Sequence, residues 1–575
     1  MRSRTSIFLI LLTLLFAINT AFAAWSGDPA LNLSIADGAG DQVLPKIAST
    51  SDGGCYLGWF DAPTGYNVRL QRLDAGGSEL WGHNGILVSA HPQNSWITDW
   101  DLIADSAGNA VLVFNDIRAG SDWDIYAYKV APDGTMLWGA NGITLSDNSD
   151  FEPSPKVTEA SDGDFVFVWQ RSPDVGDGVI MMQRLAANGA VLLAPGGISV
   201  AEEPGKSPGF CVISPADAGS VVVGWLRDIN GYMADRYYRA EKFAASGLSI
   251  WGAPVDVYDE TVLPIAYEPI IQSDGAGGAV LLWHRYYGGM YNSCVQHLSA
   301  AGVELFPHNG LVVSTNASMY HISPTMAQSG GDIYVFWDER NSGQSQWGIF
   351  GQRFAPDGTR LWGDSGHMFL PTDTLNKTHY RALPTSNGAM VFWIDTPGGY
   401  GSDRVRGFRT DTDGNFTWPG NIVDVATTPS VKGRLPVAPG IAGSALIVWE
   451  DSRAGSVDVF GQNVNADGSL GGDGTSVETS PTAGFILAQN FPNPFNPSTK
   501  ISFQLNMSGE VSLNVFDAEG RHIETVLEDR RFEAGDHQVS WDGRDERGFI
   551  VASGSYVYAL EMDGETLTRK MVLLK

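Results

Sequence analysis

A repeat of about 56 residues runs through most of this 575-residue chain and limits its possible folds more than any other feature. Eight segments combine a tight turn with a tryptophan-glycine-like motif, as in RLDAGGSELWGHNGILV and RFAPDGTRLWGDSGHMF. A β-branched run that closes on an aromatic residue lies in phase with them. Because two markers share one period, we interpret residues 24–467 as an array of one structural unit. The turn glycines are Gly77, Gly134, Gly189, Gly247, Gly302, Gly358, Gly414 and Gly468, and the phased aromatics are Trp59, Phe114, Trp169, Trp225, Trp283, Trp337, Trp393 and Trp449.

Each unit predicts four short antiparallel strands. In residues 268–315 the strand-like runs are EPIIQ, GAVLLWH, CVQHLSA and GLVVS, and most of the links between them are short and rich in Gly and Asp. No helical periodicity with capping residues is visible. Four-stranded units repeated around an axis form a β-propeller, which protects its sheet edges by closing the ring. We therefore predict an all-β fold in which the phased tryptophans pack between neighbouring sheets.

The N-terminal segment is a candidate for ring closure. Residues 25–35 resemble the end of a repeat, and DQVLPKIAS follows as the next first strand. This segment is predicted to supply an outer strand to the last blade, which makes the array one ring instead of an open solenoid. The repeats indicate eight blades. Seven remains possible because the eighth repeat is degenerate after Asp467, and an open stack is the third option.

The first 23 residues have the pattern of a secretory signal peptide. Arg2 and Arg4 form a positive region, residues 7–16 are apolar, and Ala21-Phe22-Ala23 matches the small-x-small cleavage pattern. The apolar run is short for a membrane span, and no other stretch approaches about 18 continuous apolar residues. We predict a mature extracellular chain without a membrane span, with an uncleaved anchor as the alternative.

Charge and cysteine content narrow the classes of partner. The formal net charge is −29, which argues against nucleic acid or an anionic membrane surface, because phosphate binding needs clustered Lys and Arg. The three cysteines Cys55, Cys211 and Cys294 each fall in a different repeat. An odd, dispersed set predicts buried free thiols, with a bridge between Cys211 and Cys294 as the less favoured alternative.

Propeller topology assigns the long loops to one face. Loops after the second strand and between blades are long and rich in Asp, Gly and aromatics, whereas the other turns are tight. Variable loops on a rigid scaffold usually carry function, and aromatic rings beside carboxylates and amides suit sugars. We predict that this face binds an extracellular glycan or a surface partner, with solvated loops of no binding role as the alternative. The candidate ligand-binding residues are Trp123, Tyr232, Tyr287, Tyr320 and Trp347.

Motifs for catalysis and metal binding are weak. GDSG at residues 363–366 imitates a serine-protease signature, but it occupies a repeated turn, and no GxSxG, HExxH or paired-Cys zinc spacing occurs. DTDG at 411–414 resembles the start of a calcium loop without its remaining ligands, so calcium is a weak prediction. Asp–Arg pairs two residues apart, as in Asp116 with Arg118 and Asp451 with Arg453, predict clamps that hold loops rather than metal sites. Glycosidase carboxylates in the propeller funnel remain open, because chain spacing does not reveal them.

Residues 485–575 form a second module behind a Gly/Ser/Thr/Pro linker at 468–484. Runs such as KISFQL, VSLNVFDAEGR and GSYVYALEM alternate as in a small β-sandwich. The segment FILAQNFPNPFNPSTKISFQL, together with the WDG and VASGSY runs and the terminal KMVLLK, resembles type IX secretion system type A sorting domains, which overlap with FlgD-type Ig-like modules. The motif residues are Pro492, Asn493, Pro494, Phe495, Asn496, Pro497, Gly554, Tyr556 and Lys570.

This resemblance implies export by the type IX secretion machinery, followed by surface attachment or release. A plain Ig-like spacer is the alternative. The repeat body resembles the uncharacterised extracellular propeller repeats that accompany such tails, and that resemblance implies no activity. The combined prediction is a secreted or surface-displayed, non-enzymatic binding or scaffold protein without catalytic residues. An extracellular glycan-active hydrolase is the alternative.

Overall fold

The computed structural model divides into two compact units, Met1–Thr475 and Ser476–Lys575. The predicted signal peptide, residues 473–484 of the predicted linker, Tyr232, Pro492 and Pro494 lie outside the described residues. The structure describes residues 25–62, 65–93, 99–118, 123–173, 176–229, 236–261, 263–264, 268–472, 485–487, 490, 493, 495–505, 508–517, 520–533, 535–562 and 565–574.

Eight antiparallel sheets make up the described part of unit 1, as the repeats predict, and each is one blade. Strand order follows chain order from the axis outward in blades 1 to 7. Blade 1 contains β2 (Gln42–Ser49), β3 (Cys55–Asp61), β4 (Tyr66–Leu73) and β5 (Ile86–Gln93). Blade 2 contains β6 (Asp101–Ala104), β7 (Ala110–Asp116), β8 (Asp124–Val130) and β9 (Ile143–Thr144). Blade 3 contains β10 (Lys156–Glu159), β11 (Phe165–Arg171), β12 (Val179–Leu185) and β13 (Ile198–Ala201).

The next four blades repeat this order. Blade 4 contains β14 (Gly209–Pro215), β15 (Val221–Leu226), β16 (Tyr238–Phe243) and β17 (Val255–Tyr258). Blade 5 contains β18 (Ile270–Ser273), β19 (Ala279–Tyr287), β20 (Met290–Leu298) and β21 (Leu311–Val312). Blade 6 contains β22 (Tyr320–Ser329), β23 (Asp332–Arg340), β24 (Trp347–Phe354) and β25 (His367–Asp373). Blade 7 contains β26 (Asn376–Thr385), β27 (Gly388–Thr396), β28 (Asp403–Asp411) and β29 (Ile422–Ser430).

Blade 8 joins the two ends of the repeat array. Its outer strand is β1 (Leu33–Ala36), which pairs antiparallel with β33 as the ring-closure prediction requires. The inner strands of blade 8 contact β2 of blade 1, so the ring is complete. The remaining elements of blade 8 are β30 (Lys432–Gly433), β31 (Val437–Pro439), a short 3-10 helix (Ile441–Gly443), β32 (Ala445–Asp451) and β33 (Asp458–Val464).

The phased aromatic residues form the core between blades. All eight are at most 3% exposed, and they lie in hydrophobic clusters that combine residues of neighbouring blades. The prediction of their position is confirmed. At about 25 cal/mol/Å², burying an indole of about 150–250 Å² stabilises each junction by several kcal/mol.

At six of the eight junctions in the described structure, the second tryptophan of the repeat, in the Trp-Gly motif, connects a blade to the following one, a role that the sequence did not reveal. The indole of Trp251 in blade 4 lies over Gly302 in blade 5, and its Nε1 donates to the carbonyl of Ala300 at 3.0 Å. We call this contact the indole latch. Between blade 8 and blade 1, the indole latch is formed by Trp25 of the N-terminal segment. The other latches join Trp25 to Ala75, Trp81 to Pro132, Trp138 to Ala187, Trp362 to Thr412 and Trp418 to Ala466.

Replacing Gly302 with alanine is expected to lower the free energy of unfolding by about 2–3 kcal/mol. Gly302 has φ of +77°, and an added Cβ would lie 2.7 Å from Trp251 Cδ2. Gly275→Ala in the same blade is the matched control, because its φ is +73° and nothing lies within 4 Å of the added Cβ. Urea denaturation should place Gly302→Ala clearly below the control. Equal losses would show that backbone strain alone, and not the latch, requires glycine.

All three cysteines are buried and free, as the sequence predicts. Burial raises the pKa of Cys211 and Cys294 to about 12, so neither thiol ionises at neutral pH. They are packing residues of the core.

Buried His284 should make the propeller sensitive to acid. Burial lowers its pKa to about 3, and its neutral Nε2 accepts the amide of Ser323 at 2.5 Å. In the unfolded chain the His284 imidazole takes up a proton near pH 6.5, whereas in the folded chain it stays neutral. Its contribution to the free energy of unfolding is therefore fully present above pH 6.5 and is lost as pH falls toward 3. The loss is at most about 5 kcal/mol. The free energy of unfolding, measured by urea denaturation between pH 7 and 4, should depend less steeply on pH in His284→Gln than in the parent. The difference in slope should correspond to up to one proton taken up on unfolding, and an unchanged slope would contradict this account.

Unit 2 is a two-sheet β-sandwich, as predicted for the C-terminal module. Its core is a single cluster that includes Phe495, Ile501, Leu513, Trp541 and Tyr558. One sheet contains β34 (Phe485–Leu487), β35 (Thr499–Leu505) and β38 (Gly535–Trp541). The other contains β36 (Gly509–Asp517), β37 (His522–Phe532), β39 (Gly554–Met562) and β40 (Glu565–Leu573).

Candidate functional site

The strand order places the long loops on one face of the propeller, which we call the loop face. Links after the first and third strands are tight turns, such as residues 50–54 and 299–303. Links after the second strand and between blades lie at the other end of the strands and include residues 116–124 and 340–347. The inner strands start at the loop face, so the first residues of each inner strand surround the mouth of the axial channel.

Most inner strands carry one non-glycine residue with a left-handed backbone near the loop face. Among the described residues six blades share this feature, with φ between 42° and 57°, and in several of them the strand pairing shifts at that point. Such residues cost of order 1–3 kcal/mol each and persist where the surrounding structure holds them. The six residues are Leu44, Ser154, Phe210, Ser323, His379 and Arg434.

Charged side chains from several blades converge at this level. Asp99 of the segment before β6 lies between two lysines, 2.7 Å from Lys46 Nζ and 2.5 Å from Lys156 Nζ. Asp99 also interacts electrostatically with Arg381 of blade 7, across the ring. Ion pairs join side chains of blades 1, 2, 3 and 5, and the interaction with blade 7 crosses the ring, so these side chains lie around the axis. We call the set the charged funnel; its members are Lys46, Asp99, Lys156, Glu268, Arg381 and Arg434.

The lysines determine the charge state of Asp99. Burial opposes its ionisation, but Lys156 and Lys46 together hold the pKa of this carboxyl well below its ordinary range. Glu268 lies 3.7 Å from Lys156. Asp99 is therefore ionised at any physiological pH and cannot donate a proton as a general acid would.

An aromatic stripe lies on the loop face of blades 5 and 6. The rings of Tyr286 and Tyr291 are 4.9 Å apart, and Tyr291 meets Tyr320 edge to face at 5.7 Å. Tyr320 pairs with Arg340, and Arg340 with Trp347, so the three side chains lie in a row on the same side of blade 6. The guanidinium of Arg340 lies 5.9 Å from the Trp347 ring. The structure thus brings two predicted residues, Tyr320 and Trp347, into one surface.

The other predicted ligand-binding residues lie apart from the stripe. Tyr287 is 47% exposed and stacks under Arg285, on the opposite side of its hairpin from Tyr286. Trp123 in blade 2 packs against half-exposed Phe151 at 5.1 Å, on a different sector of the ring. Tyr232 is outside the described residues.

The predicted Asp–Arg clamps are confirmed at the ends of three second strands. In each, a fully buried carboxylate binds the arginine two residues later, and that guanidinium lies over a ring of the third strand at 3.6–5.9 Å. A buried carboxylate paired in this way holds the start of a loop in place. The pairs are Asp116–Arg118 over Tyr126, Asp338–Arg340 over Trp347 and Asp451–Arg453 over Phe460.

Other sequence motifs have structural roles in the described residues. No group of three or more His, Cys, Asp or Glu residues with metal-binding geometry occurs among them. At the DTDG turn the Asp411 carboxylate accepts the amides of Asp413 and Asn415, both at 2.9 Å. In GDSG, backbone carbonyls of Asp364 and Ser365 accept hydrogen bonds from the preceding blade. Calcium binding stays a prediction.

The residues of the sorting motif are part of the sandwich itself. Phe495 is buried beside Trp541 at 5.6 Å and pairs with β40 through hydrogen bonds to Val572 and Leu574. Asn493 Oδ1 accepts the Val572 amide at 2.8 Å. Tyr556 is buried and its hydroxyl donates to the Ala552 carbonyl at 2.7 Å, as in the tyrosine corner of Ig-like domains. Asn496, Pro497 and Gly554 are exposed, and Lys570 lies in β40.

The charged funnel was not among the predicted sites. Its members are far apart in the chain and match no motif. The one signal is that lysine or arginine recurs at an inner-strand position that pairs with a fully buried strand, as at Lys46, Lys156 and Arg381. A charged residue on the inner strand, next to a buried second strand, indicates that the axis of the propeller is lined by polar groups.

No described helix is long and apolar enough to cross a membrane. No curated protein matches the chain significantly. Among solved structures, a PL25 ulvan lyase bound to -[GlcA(1-4)Rha3S]- is 9% identical with a TM-score of 0.42, and the match covers 78% of this chain and 96% of that one. A protein of unknown function from Dyadobacter fermentans DSM 18053 is 10% identical with a TM-score of 0.32, covering 55% and 95%.

A further neighbour is the endo-arabinase from Bacteroides thetaiotaomicron VPI-5482, which is 15% identical with a TM-score of 0.26, covering 48% of this chain and 96% of that one. The glycan-active enzymes among these structures share only a low identity with this chain. A family model matches residues 491–565, that of the FlgD Ig-like domain. Unit 2 is therefore similar to the FlgD Ig-like domain over most of its length.

Proposed function

We propose that the protein is an exported, non-enzymatic glycan-binding protein that uses the loop face of its propeller. The observation that carries this proposal is the continuous aromatic stripe from Tyr286 through Tyr320 to Trp347, with Arg340 between the last two rings. Sugar rings stack on aromatic faces, and arginine and tyrosine donors bind their hydroxyls. The stripe lies on rigid strand ends rather than on loop tips, which favours a preformed site.

The aromatic stripe is continuous with blade 7. Lys377 of β26 donates from Nζ to the Trp347 carbonyl at 3.0 Å and also binds Asp373 at 2.5 Å. Arg381 lies four residues further along the same strand, at most roughly 13 Å away. A ligand bound along the stripe can therefore reach the charged funnel.

A hydrolase is the competing proposal, and one observation bears on it. Burial raises the pKa of Asp338 to about 7, the range of a general acid. The Asp338 side chain is completely buried, however, and bound by Arg340, so substrate cannot reach it. The funnel holds two carboxylates, of which Asp99 is held ionised by two lysines and Glu268 lies 3.7 Å from Lys156. These side chains favour binding over acid–base catalysis.

A glycan array of the mature chain tests the proposal. Trp347→Ala and Tyr320→Ala are expected to weaken binding of the selected glycan at least tenfold, because each removes a stacking surface of the stripe. Phe549→Ala in unit 2, where the ring is 68% exposed, is the matched control and should bind as the parent does. Trp123→Ala tests the separate sector of the ring. Binding that survives both stripe substitutions would refute the proposed site, and release of reducing ends would favour the hydrolase.

Export through the outer membrane by the type IX machinery is a separate proposal, which rests on the resemblance of residues 485–575. A fluorescent reporter fused to this module should appear outside a host cell that has the machinery. Removing residues 565–575 deletes β40, which pairs with both Phe495 and β39, so this change cannot separate sorting from folding. Lys570→Ala is the sharper variant. An exported reporter in a host without the machinery would contradict the proposal.

A further inference from the structure

Two arginines at the mouth of the channel lack a carboxylate partner. Arg381 lies on inner strand β26 of blade 7, and Arg434 lies between β30 and β31 of blade 8. Solvent reaches both side chains. In the described part of the chain, neither guanidinium lies within 4 Å of a carboxylate oxygen. The two side chains donate one hydrogen bond there, from Arg381 Nη1 to the Tyr380 carbonyl at 2.8 Å. Each guanidinium has five N–H donors, so most of these donors have no protein partner among the described residues.

The electrostatics of this pair are unfavourable without a ligand. Burial, and then the neighbouring Arg434, lower the pKa of Arg381. Burial and the same two arginines lower the pKa of His379 to about 4, so this imidazole is neutral and adds no counter-charge. Like charges placed close together cost free energy, and such arrangements occur where a site is prepared for an opposite charge.

The carboxylates near the pair are already engaged. Asp99 is bound by Lys46 and Lys156. Glu450 interacts with Arg434 electrostatically, but it lies beyond salt-bridge distance, and its Oε1 accepts the Leu44 amide at 2.8 Å. In a chain with net charge −29, a pair of arginines without an ion-pair partner within 4 Å makes a local region of positive charge at the axis.

We propose that Arg381 and Arg434 bind an anionic group, a carboxylate or a sulfate ester, of an acidic polysaccharide whose neighbouring sugars lie on the aromatic stripe. The planar guanidinium fits oxyanions with two parallel hydrogen bonds. Two such groups at the mouth of the channel suit an anion that enters from the loop face. The assignment of the ligand to a polysaccharide rests on the proposed function, whereas the anion site rests on the arginines alone.

Isothermal titration of the full mature chain tests this site. The probes are a uronate-containing oligosaccharide without sulfate, a sulfated oligosaccharide without uronate, and a neutral oligosaccharide of the same length. Arg381→Gln and Arg434→Gln are each expected to weaken binding of the preferred acidic probe at least tenfold, which corresponds to about 1.4 kcal/mol. Binding of the neutral probe should not change. Arg521→Gln is the matched control, since this exposed arginine of unit 2 loses the same charge.

Thermal unfolding without ligand distinguishes a binding role from a structural one. Removing one of two repelling cations should leave Tm unchanged or raise it, because the pair is arranged for a ligand and not for stability. A lower Tm in both variants would mean that the arginines hold the fold, and the anion site would be wrong. The preferred probe, uronate or sulfated, identifies the chemical group.

Failure of this inference and failure of the proposed function give different results. If both arginine variants bind the acidic probe as tightly as the parent while Trp347→Ala abolishes binding, the anion site is refuted and the glycan-binding stripe stands. If the arginine variants lose the acidic probe while Trp347→Ala and Tyr320→Ala bind it normally, the anion site stands and the stripe is refuted.

Discussion

A chain that begins at Asp41 instead of Trp25 is expected to lose the cooperative unfolding transition of the propeller. The deletion removes β1 and the Trp25 latch, which close blade 8 against blade 1. Trp25, Leu33 and Ile35 are at most 4% exposed in the cluster around Trp59. Burying these three side chains stabilises the ring by on the order of 8 kcal/mol, against a typical net stability of about 5–15 kcal/mol.

Differential scanning calorimetry of the two chains measures this effect. The shortened chain should give a broad, low-temperature transition or none, because an open array unfolds from its ends. Two point variants in the same segment are matched controls. Ile35→Ser should lower Tm strongly, since Ile35 is fully buried, and Leu31→Ser should not, since Leu31 is 65% exposed. An unchanged transition in the shortened chain would mean that the other seven blades are stable as an open arc.

Replacing one of the phased tryptophans with alanine is expected to cost about 3–5 kcal/mol of unfolding free energy. Trp393 and Trp449 are both completely buried between blades. Urea denaturation of Trp393→Ala and Trp449→Ala should show the loss directly. Tyr400→Ala, at a ring that is 95% exposed, is the control and should stay within about 0.5 kcal/mol of the parent.

Phenylalanine at the same two positions separates packing from hydrogen bonding. Trp449 Nε1 donates to Asp451 Oδ2 at 2.9 Å, whereas Trp393 Nε1 has no partner among the described residues. Trp449→Phe leaves a buried carboxylate short of one donor and is expected to cost about 1–2 kcal/mol more than Trp393→Phe. Equal costs would show that Arg453 and Lys432 satisfy Asp451 without the indole.

The blades and their closure were predictable from the chain because their determinants are local. Turn glycines, alternating strands and a phased tryptophan occur within one repeat, and the partial repeat at residues 25–35 identifies the missing outer strand. The latch was not predictable in the same way. The Trp-Gly motif shows its period in the sequence, but the carbonyl that its indole binds belongs to the next repeat, about 50 residues further on.

The candidate site was predictable only in part. The sequence placed Tyr320 and Trp347 in loops, whereas the structure places them at the first positions of β22 and β24, which are at the loop face as propeller topology predicts. Their neighbourhood depends on strand register, which pairs Tyr320 with Arg340 and Arg340 with Trp347 and places Tyr287 on the opposite side of its hairpin. A shift of one residue in a strand would reverse these sides. The pairing shifts beside these residues, between Ile322 and Thr325 and between Trp347 and Ile349, and the hydrophobic pattern does not show such local shifts.

The all-β class, the eight repeats, the closure by the N-terminal segment, the tryptophan core and the separate C-terminal sandwich could all be predicted from the amino-acid sequence, because each follows from hydrophobic period and turn chemistry within one unit. The set of charges that meet at the axis depends on the folded ring. Lys46 and Arg381 are more than 300 residues apart, and they share one channel because ring closure brings every inner strand to the same axis. Convergence at a symmetry axis is a property of the closed ring, and no single repeat contains it.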